Sequence, residues 1–334
     1  MREILLVEAI REALSEEMRR DESVFLMGED LRIWGAPLGQ TKGLWDEFGD
    51  KRVLDTPISE AGFVGAGAGA ASLGLRPVVE LMFIDFFGVA GDQIFNQAPK
   101  LRYMFGGRMK VPMVLRTVIG AGMSAAAHHS SSAYSIIAHI PGWKCVIPST
   151  AYDAKGLLKT AIRDDDPVMY FEHKMLLNVK GEVPEEEYTI PFGEASIKRK
   201  GKDVTVVALA WMVHKALKAA EKLSEEGIDV EVIDPRTIVP LDKKTIIDSV
   251  RKTGKLVAVD EDYERCGFSS EISAMVTEEA FDSLTAPIMR VATPTVPIPF
   301  SPVLEDAVIP NEDRIIKTVR EAALYKKSKL QANI

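Results

Sequence analysis

Apolar runs of strand length recur along this chain between stretches of helical period, and the order of their alternation leaves few folds open. The runs at 24–27, 77–84, 111–118, 144–147 and 168–171 are separated by helical stretches near 61–74, 86–105 and 151–163. Continuous apolar runs suit strands buried on both faces, and helices between them place successive strands parallel. Leu6, Ile10, Ala13, Leu14 and Met18 fall at helical spacing, so an opening helix is expected to feed the first strand. Residues 174–192 break the rhythm with two prolines, a glycine and the triplet Glu185-Glu186-Glu187. It resumes with runs at 204–209, 229–233 and 256–260 between helices around 212–226, 242–252 and 268–282. The expectation is two doubly wound α/β domains, 1–180 and 193–325, joined by a linker at 181–192 and followed by a solvated tail at 326–334. A length of 334 residues supports two cores.

The formal charge of −8, with no basic stripe carrying aromatics, argues against nucleic acid and anionic membranes as partners. No apolar run reaches membrane-spanning length, and the first twenty residues mix acids and bases in a way foreign to signal and transit peptides. Cys145 and Cys266 stand far apart without metal-ligand spacing, which fits a reducing cytoplasm.

Gly65, Gly67 and Ala70 satisfy the loose dinucleotide-binding fingerprint. That fingerprint needs a strand running directly into the glycine turn, whereas Thr56-Pro57 resembles a helix start. Inside a helix, each glycine costs about 1 kcal/mol relative to alanine. Gly62, Gly65, Ala66, Gly69 and Ser72 would then form a small-residue face for close packing of a helix or a partner chain.

Glu60 has two readings. An acid in a first helical turn gains about 0.3–1 kcal/mol from the helix dipole. A partly desolvated carboxylate beside small residues can instead share a proton with a ligand nitrogen. His128 and His129 lie in a run of small residues after the strand expected to end near Val118, where open α/β sheets bind ligands; they are either ordinary loop residues or catalytic ones. His139 and His214 read as structural. No Gly-x-Ser-x-Gly occurs, which removes the hydrolase elbow. Asp164-Asp165-Asp166 ends a helix, as solvated acids or facing a cation.

Five motifs in order carry a resemblance. Thr56-Pro-Ile-Ser-Glu60-Ala-Gly-Phe, Asp92-Gln93-Ile94 with Asn96, His129-Ser130, Pro148-Ser-Thr-Ala-Tyr-Asp-Ala-Lys-Gly-Leu-Leu and Asp234-Pro-Arg-Thr-Ile-Val-Pro-Leu-Asp242 resemble the beta subunit of the decarboxylating component of 2-oxo acid dehydrogenase complexes. The resemblance runs from about residue 3 to 323. Asp85-Phe-Phe-Gly-Val, Arg102-Tyr-Met-Phe-Gly-Gly and Phe300-Ser-Pro-Val-Leu-Glu-Asp are most similar to the acetoin dehydrogenase branch, with pyruvate and branched-chain 2-oxo acid dehydrogenases beside it.

The resemblance implies a pyrimidine-type thiamine diphosphate-binding fold followed by a transketolase C-terminal-like domain. It implies thiamine diphosphate as cofactor, whose thiazolium carbon serves as nucleophile and electron sink. Glu60 matches the glutamate that bonds the aminopyrimidine and favours the imino tautomer that deprotonates the thiazolium. Phe86 matches the aromatic packing on that ring, and Ile58 lies with them in the cofactor site. His129 matches a histidine near the lipoyl group, orienting or protonating the dithiolane. His128 and Ser131 depart from the glutamines frequent at those positions, a departure that bears on substrate choice and on the hydrogen bonding of His129. Ala161, Asp164 and Asp166 match a potassium site of some members. The Gly-Asp-Gly segment that holds magnesium is absent from this chain. The resemblance therefore implies an alpha subunit that binds Mg2+ and the diphosphate in an α2β2 assembly, and a lipoyl acyltransferase that receives the acyl group from a 2-oxo acid or acetoin. The rivals are a nicotinamide oxidoreductase using the glycine segment and a non-catalytic assembly subunit.

Overall fold

The structure, a computed structural model, describes residues 1–326; residues 327–334, which hold nearly all of the expected tail, lie outside the described residues. Seven strands form the first sheet in the order Thr237–Val239, Lys144–Val146, Val168–His173, Val114–Ile119, Arg76–Phe83, Val24–Gly28, Val53–Asp55. All neighbours are parallel except Thr237–Val239, which runs antiparallel to Lys144–Val146. Every residue of Val114–Ile119 and Val168–His173 is buried, as the unbroken apolar runs require of strands covered on both faces. The second sheet has five strands, ordered Met289–Thr293, Leu256–Tyr263, Val204–Ala208, Val230–Asp234, Ser196–Arg199, with only the last antiparallel. Thr237–Val239 comes from the second half of the chain and completes the edge of the first sheet, and one hydrophobic core runs from Val114 and Phe171 through Ile238 to Ile233 and Phe268.

The alternation read from the sequence is present, with six further strands. Arg2–Leu5 precedes the opening helix Leu6–Arg20 and pairs antiparallel with Lys180–Val183, so the segment expected as a linker at 181–192 begins inside a strand. Val53–Asp55, Ser196–Arg199, Thr237–Val239 and Met289–Thr293 were also invisible as periodic runs. The single helix expected at 86–105 is three pieces: a 3-10 turn Ile84–Gly88, a π-helical turn Gln93–Gln97 and the α-helix Ala98–Met104. Gly88 and Gly91 weaken the first part, and Pro99 cannot donate into a continuous ladder but suits the first turn of a new helix.

The glycine-rich segment is the helix Glu60–Ser72, so its glycines lie within helix and leave no strand-to-helix turn for a dinucleotide. Gly67 faces the sheet, where an added Cβ would stand 2.5 Å from Cγ2 of Val79; this contact explains one glycine. On the opposite face Gly62, Ala66 and Gly69 are exposed, while Gly65 lies against Gln93. No helix among the described residues is long and apolar enough to cross a membrane.

Candidate functional site

The carboxyl ends of the first sheet collect Glu29, Phe83, the loop after Ile119 and His173 along one rim, the place where parallel sheets leave room for ligands. The carbonyl of Gly28 accepts from the backbone N–H of Thr56 (2.9 Å), which ties residues 56–59 to this rim and starts the helix at Glu60. Glu60 is 7% exposed and Glu29 8%. Neither carboxylate has a side-chain hydrogen bond or ion pair among the described residues. Burial, then the neighbouring negative charges of Glu60 and Asp30, pushes Glu29 above the usual carboxylate range. Two acids largely sheltered by the fold, with no donor from the described residues, leave their carboxylates free to meet a ligand. Ile58, two residues before Glu60, is 82% exposed.

Beneath this pair the sheet holds a buried triad. Arg116 Nε donates to Glu172 (2.7 Å), its Nη1 lies 3.0 Å from Glu80, and Gln40 donates to the other oxygen of Glu172 (3.2 Å). One guanidinium faces two carboxylates. Burial is the largest influence on Glu80, Arg116 opposes it and Glu172 adds to it, so Glu80 is pushed up to about 8. A Cβ on Gly28 would stand 2.7 Å from Cβ of Glu80, so the strand bearing Glu29 can pass this triad only as glycine.

Further along the rim three rings meet edge to face: Phe83 with Phe86 (6.2 Å), Phe83 with His129 (4.8 Å) and Phe86 with His129 (5.4 Å between centroids). The structure thus brings together Phe86 and His129, two residues singled out by the sequence. His128 is exposed and points to no partner among the described residues. Lys174 is buried with its ammonium 5.3 Å from the centre of Phe83, donates to the carbonyl of His129, and is held below its ordinary range by burial. Gly120 opens the histidine loop at φ +88°, and a Cβ there would fall 2.1 Å from Nε2 of His173. His173 in turn meets Glu261 of the second half at 2.8 Å. Burial would raise Glu261, but His173, the N–H of Ala121 and Lys174 bring it net below the usual range.

Asp164 and Asp166 sit at the other end of the sheet. Arg76, which begins its strand, donates to the carbonyl of Asp164 (2.9 Å), while Phe83 ends that strand seven residues on, roughly 23 Å away at strand rise. Lys144 lies 2.7 Å from Asp164 and 3.2 Å from Asp166, which also pairs with Arg102. Burial would raise Asp166, but Arg102 and Lys144 hold it low. The carbonyl of Ala161 accepts from the N–H of Asp164 (3.3 Å). The cations facing the expected potassium residues are thus side chains, and no group of three or more His, Cys, Asp or Glu among the described residues is arranged to hold a metal. His139 is exposed, and His214 meets the carbonyl of Ser149 (2.8 Å).

Sequence reasoning overlooked Glu29, Glu80, Glu172, His173 and Lys174. A signal existed: Gly28-Glu29-Asp30 and Glu172-His173-Lys174 both put charge at the carboxyl end of an apolar run, where a parallel sheet opens to ligands.

Comparisons with known proteins agree with this architecture. Residues 2–180 match the family described as transketolase, pyrimidine binding domain, and residues 193–315 match transketolase, C-terminal domain. The chain is 52% identical over 332 residues to the beta subunit of acetoin:2,6-dichlorophenolindophenol oxidoreductase of Bacillus subtilis, covering 96% of this chain and 97% of that one. It is 47% identical over 320 residues to the pyruvate dehydrogenase E1 component subunit beta of Rhizobium meliloti, covering 96% and 69%. Among solved structures, a split-gene transketolase described as an inactive beta4 tetramer superposes with a TM-score of 0.78 at 24% identity over 97% of this chain and 99% of that one, a likeness of fold.

Proposed function

Because the chain belongs to the family of beta subunits of acetoin and 2-oxo acid dehydrogenases, built from the pyrimidine-binding and C-terminal domains of transketolase, we propose that it forms the pyrimidine-facing half of a thiamine diphosphate site. The observation that carries this reading is Glu60: a residue 7% exposed whose carboxylate meets no donor among the described residues, opening a helix at the ligand-binding rim. Such a group fits a ring nitrogen that needs a proton partner. Bound there, the cofactor would supply the carbanion that attacks a carbonyl and then holds the electrons of the broken bond.

The residues of this chain do the rest. Glu60 would hold a proton between its carboxylate and the ring nitrogen, next to Glu29, whose own carboxyl is raised by burial and by the charge of Glu60. Phe86 would offer an aromatic face to the same ring, and Ile58, 82% exposed, would belong to the surface that a second chain covers. His129, held against Phe83 and Phe86, would orient and protonate the incoming lipoyl group on the acyltransferase. An alpha subunit would bring Mg2+ and the diphosphate, since this chain has no Gly-Asp-Gly segment. Potassium at Asp164 and Asp166 would have to share or displace Lys144, so it is no part of the proposed site.

The substrate we assign is acetoin, cleaved beside its carbonyl with release of acetaldehyde, because the acetoin relative is the more similar of the two compared. Co-expression with the alpha chain and assay of dichlorophenolindophenol reduction tests this. The expected kcat/KM order is acetoin above pyruvate and branched 2-oxo acids, by about tenfold or more, with neither chain active alone. Full turnover by the alpha chain alone would reduce this chain to an assembly subunit.

A further inference from the structure

We infer that Glu305, in the second half of the chain, is a positioning residue for the histidine loop of the first half, so that the step assigned to His129 depends on a carboxylate reaching across from the other domain. The inference rests on the role proposed above for His129.

The loop has little of its own to hold one shape. Residues 120–133 are mostly glycine, alanine and serine, with left-handed backbone at Gly120, Gly122, Ser124, Ala126 and Ala133. Its internal backbone bonds are Gly120 N–H to Ser131 (3.0 Å) and a long one from His129 N–H to Ala126 (3.4 Å). Non-glycine residues at positive φ are costly and persist only where their surroundings impose them.

Charged side chains impose the shape here. Glu305, buried within the helix Pro302–Val308, accepts from the N–H of Gly122 through one oxygen (2.8 Å) and from the N–H of Ser124 through the other (2.9 Å). Glu261 accepts from Ala121 N–H (2.7 Å), Asp85 accepts from Ser131 N–H (3.3 Å), and Lys174 donates to the carbonyl of His129. Among the described residues, Glu305 alone spends both oxygens on two loop amides. Charge-assisted bonds from two oxygens fix direction as well as distance, and they span the φ +52° of Ser124, five residues before His129.

The consequence falls on the ring. His129 meets Phe83 and Phe86 edge to face, so a loop released at Gly122 and Ser124 changes where the imidazole stands beside Phe86. A misplacement of about 1 Å can cost about a hundredfold in rate.

The test uses the chain assembled with its alpha partner, as wild type, Glu305→Ala and Glu305→Gln. Three quantities are read: lipoyl-coupled turnover, turnover with dichlorophenolindophenol, and hydrogen–deuterium exchange of the peptide covering 119–134. For Glu305→Ala, exchange in that peptide should rise about tenfold while the helix 151–163 exchanges as before. The ratio of lipoyl-coupled to artificial-acceptor turnover should fall about ten- to a hundredfold, with KM for the lipoyl domain unchanged. Glu305→Gln keeps one accepting oxygen and should fall between, which also covers failure of the alanine variant to fold. Unchanged exchange with an unchanged ratio would overturn the inference, as would a parallel loss of both turnovers. If the peptide loosens while His129→Ala leaves lipoyl-coupled turnover intact, His129 has no step for the clamp to serve; the functional reading then fails and the inference with it.

Discussion

At the carboxyl ends of the first sheet, Glu29 and Glu60 are buried without a hydrogen bond among the described residues, whereas at the carboxyl ends of the second sheet every buried acid is bonded to a group from the first half of the chain. Asp234 accepts from Ser149, Asp260 from Tyr134, Asp262 from Ser135, and Glu261 meets both His173 and the N–H of Ala121. The two sheets share strand order logic and helix cover, yet their rims differ in what their acids touch. A rim whose acids are satisfied from within holds the two halves together. A rim where two acids, Glu29 and Glu60, lack donors while Glu172 is held by Arg116 and Gln40 is available to a ligand.

Neutralising acids on the two rims should therefore have opposite signs. The largest effect expected is at Glu261, where Glu261→Ala strands His173 and the N–H of Ala121 in the interior and should cost about 3–5 kcal/mol in denaturant unfolding. A loss below about 1 kcal/mol would mean that this rim does not hold the halves together. Ser135→Ala removes one bond to Asp262 and should cost about 1–2 kcal/mol by the same measurement.

Glu80→Gln sharpens the contrast through pH. With a folded pKa of about 8 against the ordinary 4.5, Glu80 contributes stability that is complete below the unfolded value and is lost as pH rises through 8. The wild-type chain should lose stability between about pH 5 and pH 8, and Glu80→Gln should flatten that slope in melts taken across the range. An unchanged slope would show Glu80 ionised against Arg116 throughout. The smallest effect belongs to Glu29→Gln, which relieves a like-charge neighbour of Glu60 and should stabilise the isolated chain by about 0.5–1 kcal/mol, more at high pH than at low.

The long buried strands and most helices were legible because their apolar runs reach four residues or more and alternate with stretches of helical period. Val53–Asp55 and Thr237–Val239 have three residues each, too few to carry a period, and they become strands only beside partners supplied by the sheet. Arg2–Leu5 reads as polar and depends on Lys180–Val183, far away in sequence. Glu60, Phe86 and His129 were reached through motif resemblance, while the contact between Phe86 and His129 emerged only from the fold; composition alone left Glu60 open between a helix dipole and a ligand. Glu80, Glu172 and Lys174 look like solvent-facing charges in the sequence, and only the packing of neighbouring strands and loops reveals that they are buried. Asp164 and Asp166, matched to a potassium site only by resemblance, pair in the fold with Lys144 and Arg102, partners the sequence did not reveal.

The role of Glu60 can be measured in one comparison, wild type against Glu60→Gln, each assembled with the alpha chain and supplied with acetoin, thiamine diphosphate, Mg2+ and dichlorophenolindophenol. The amide should lower turnover by about a hundredfold or more, the scale of a lost proton-transfer partner, while the melting temperature of the beta chain stays level, because the Glu60 side chain bonds to nothing among the described residues. Turnover within about twofold of wild type would remove Glu60 from the chemistry and, with it, the reason for an unpaired carboxylate at this rim.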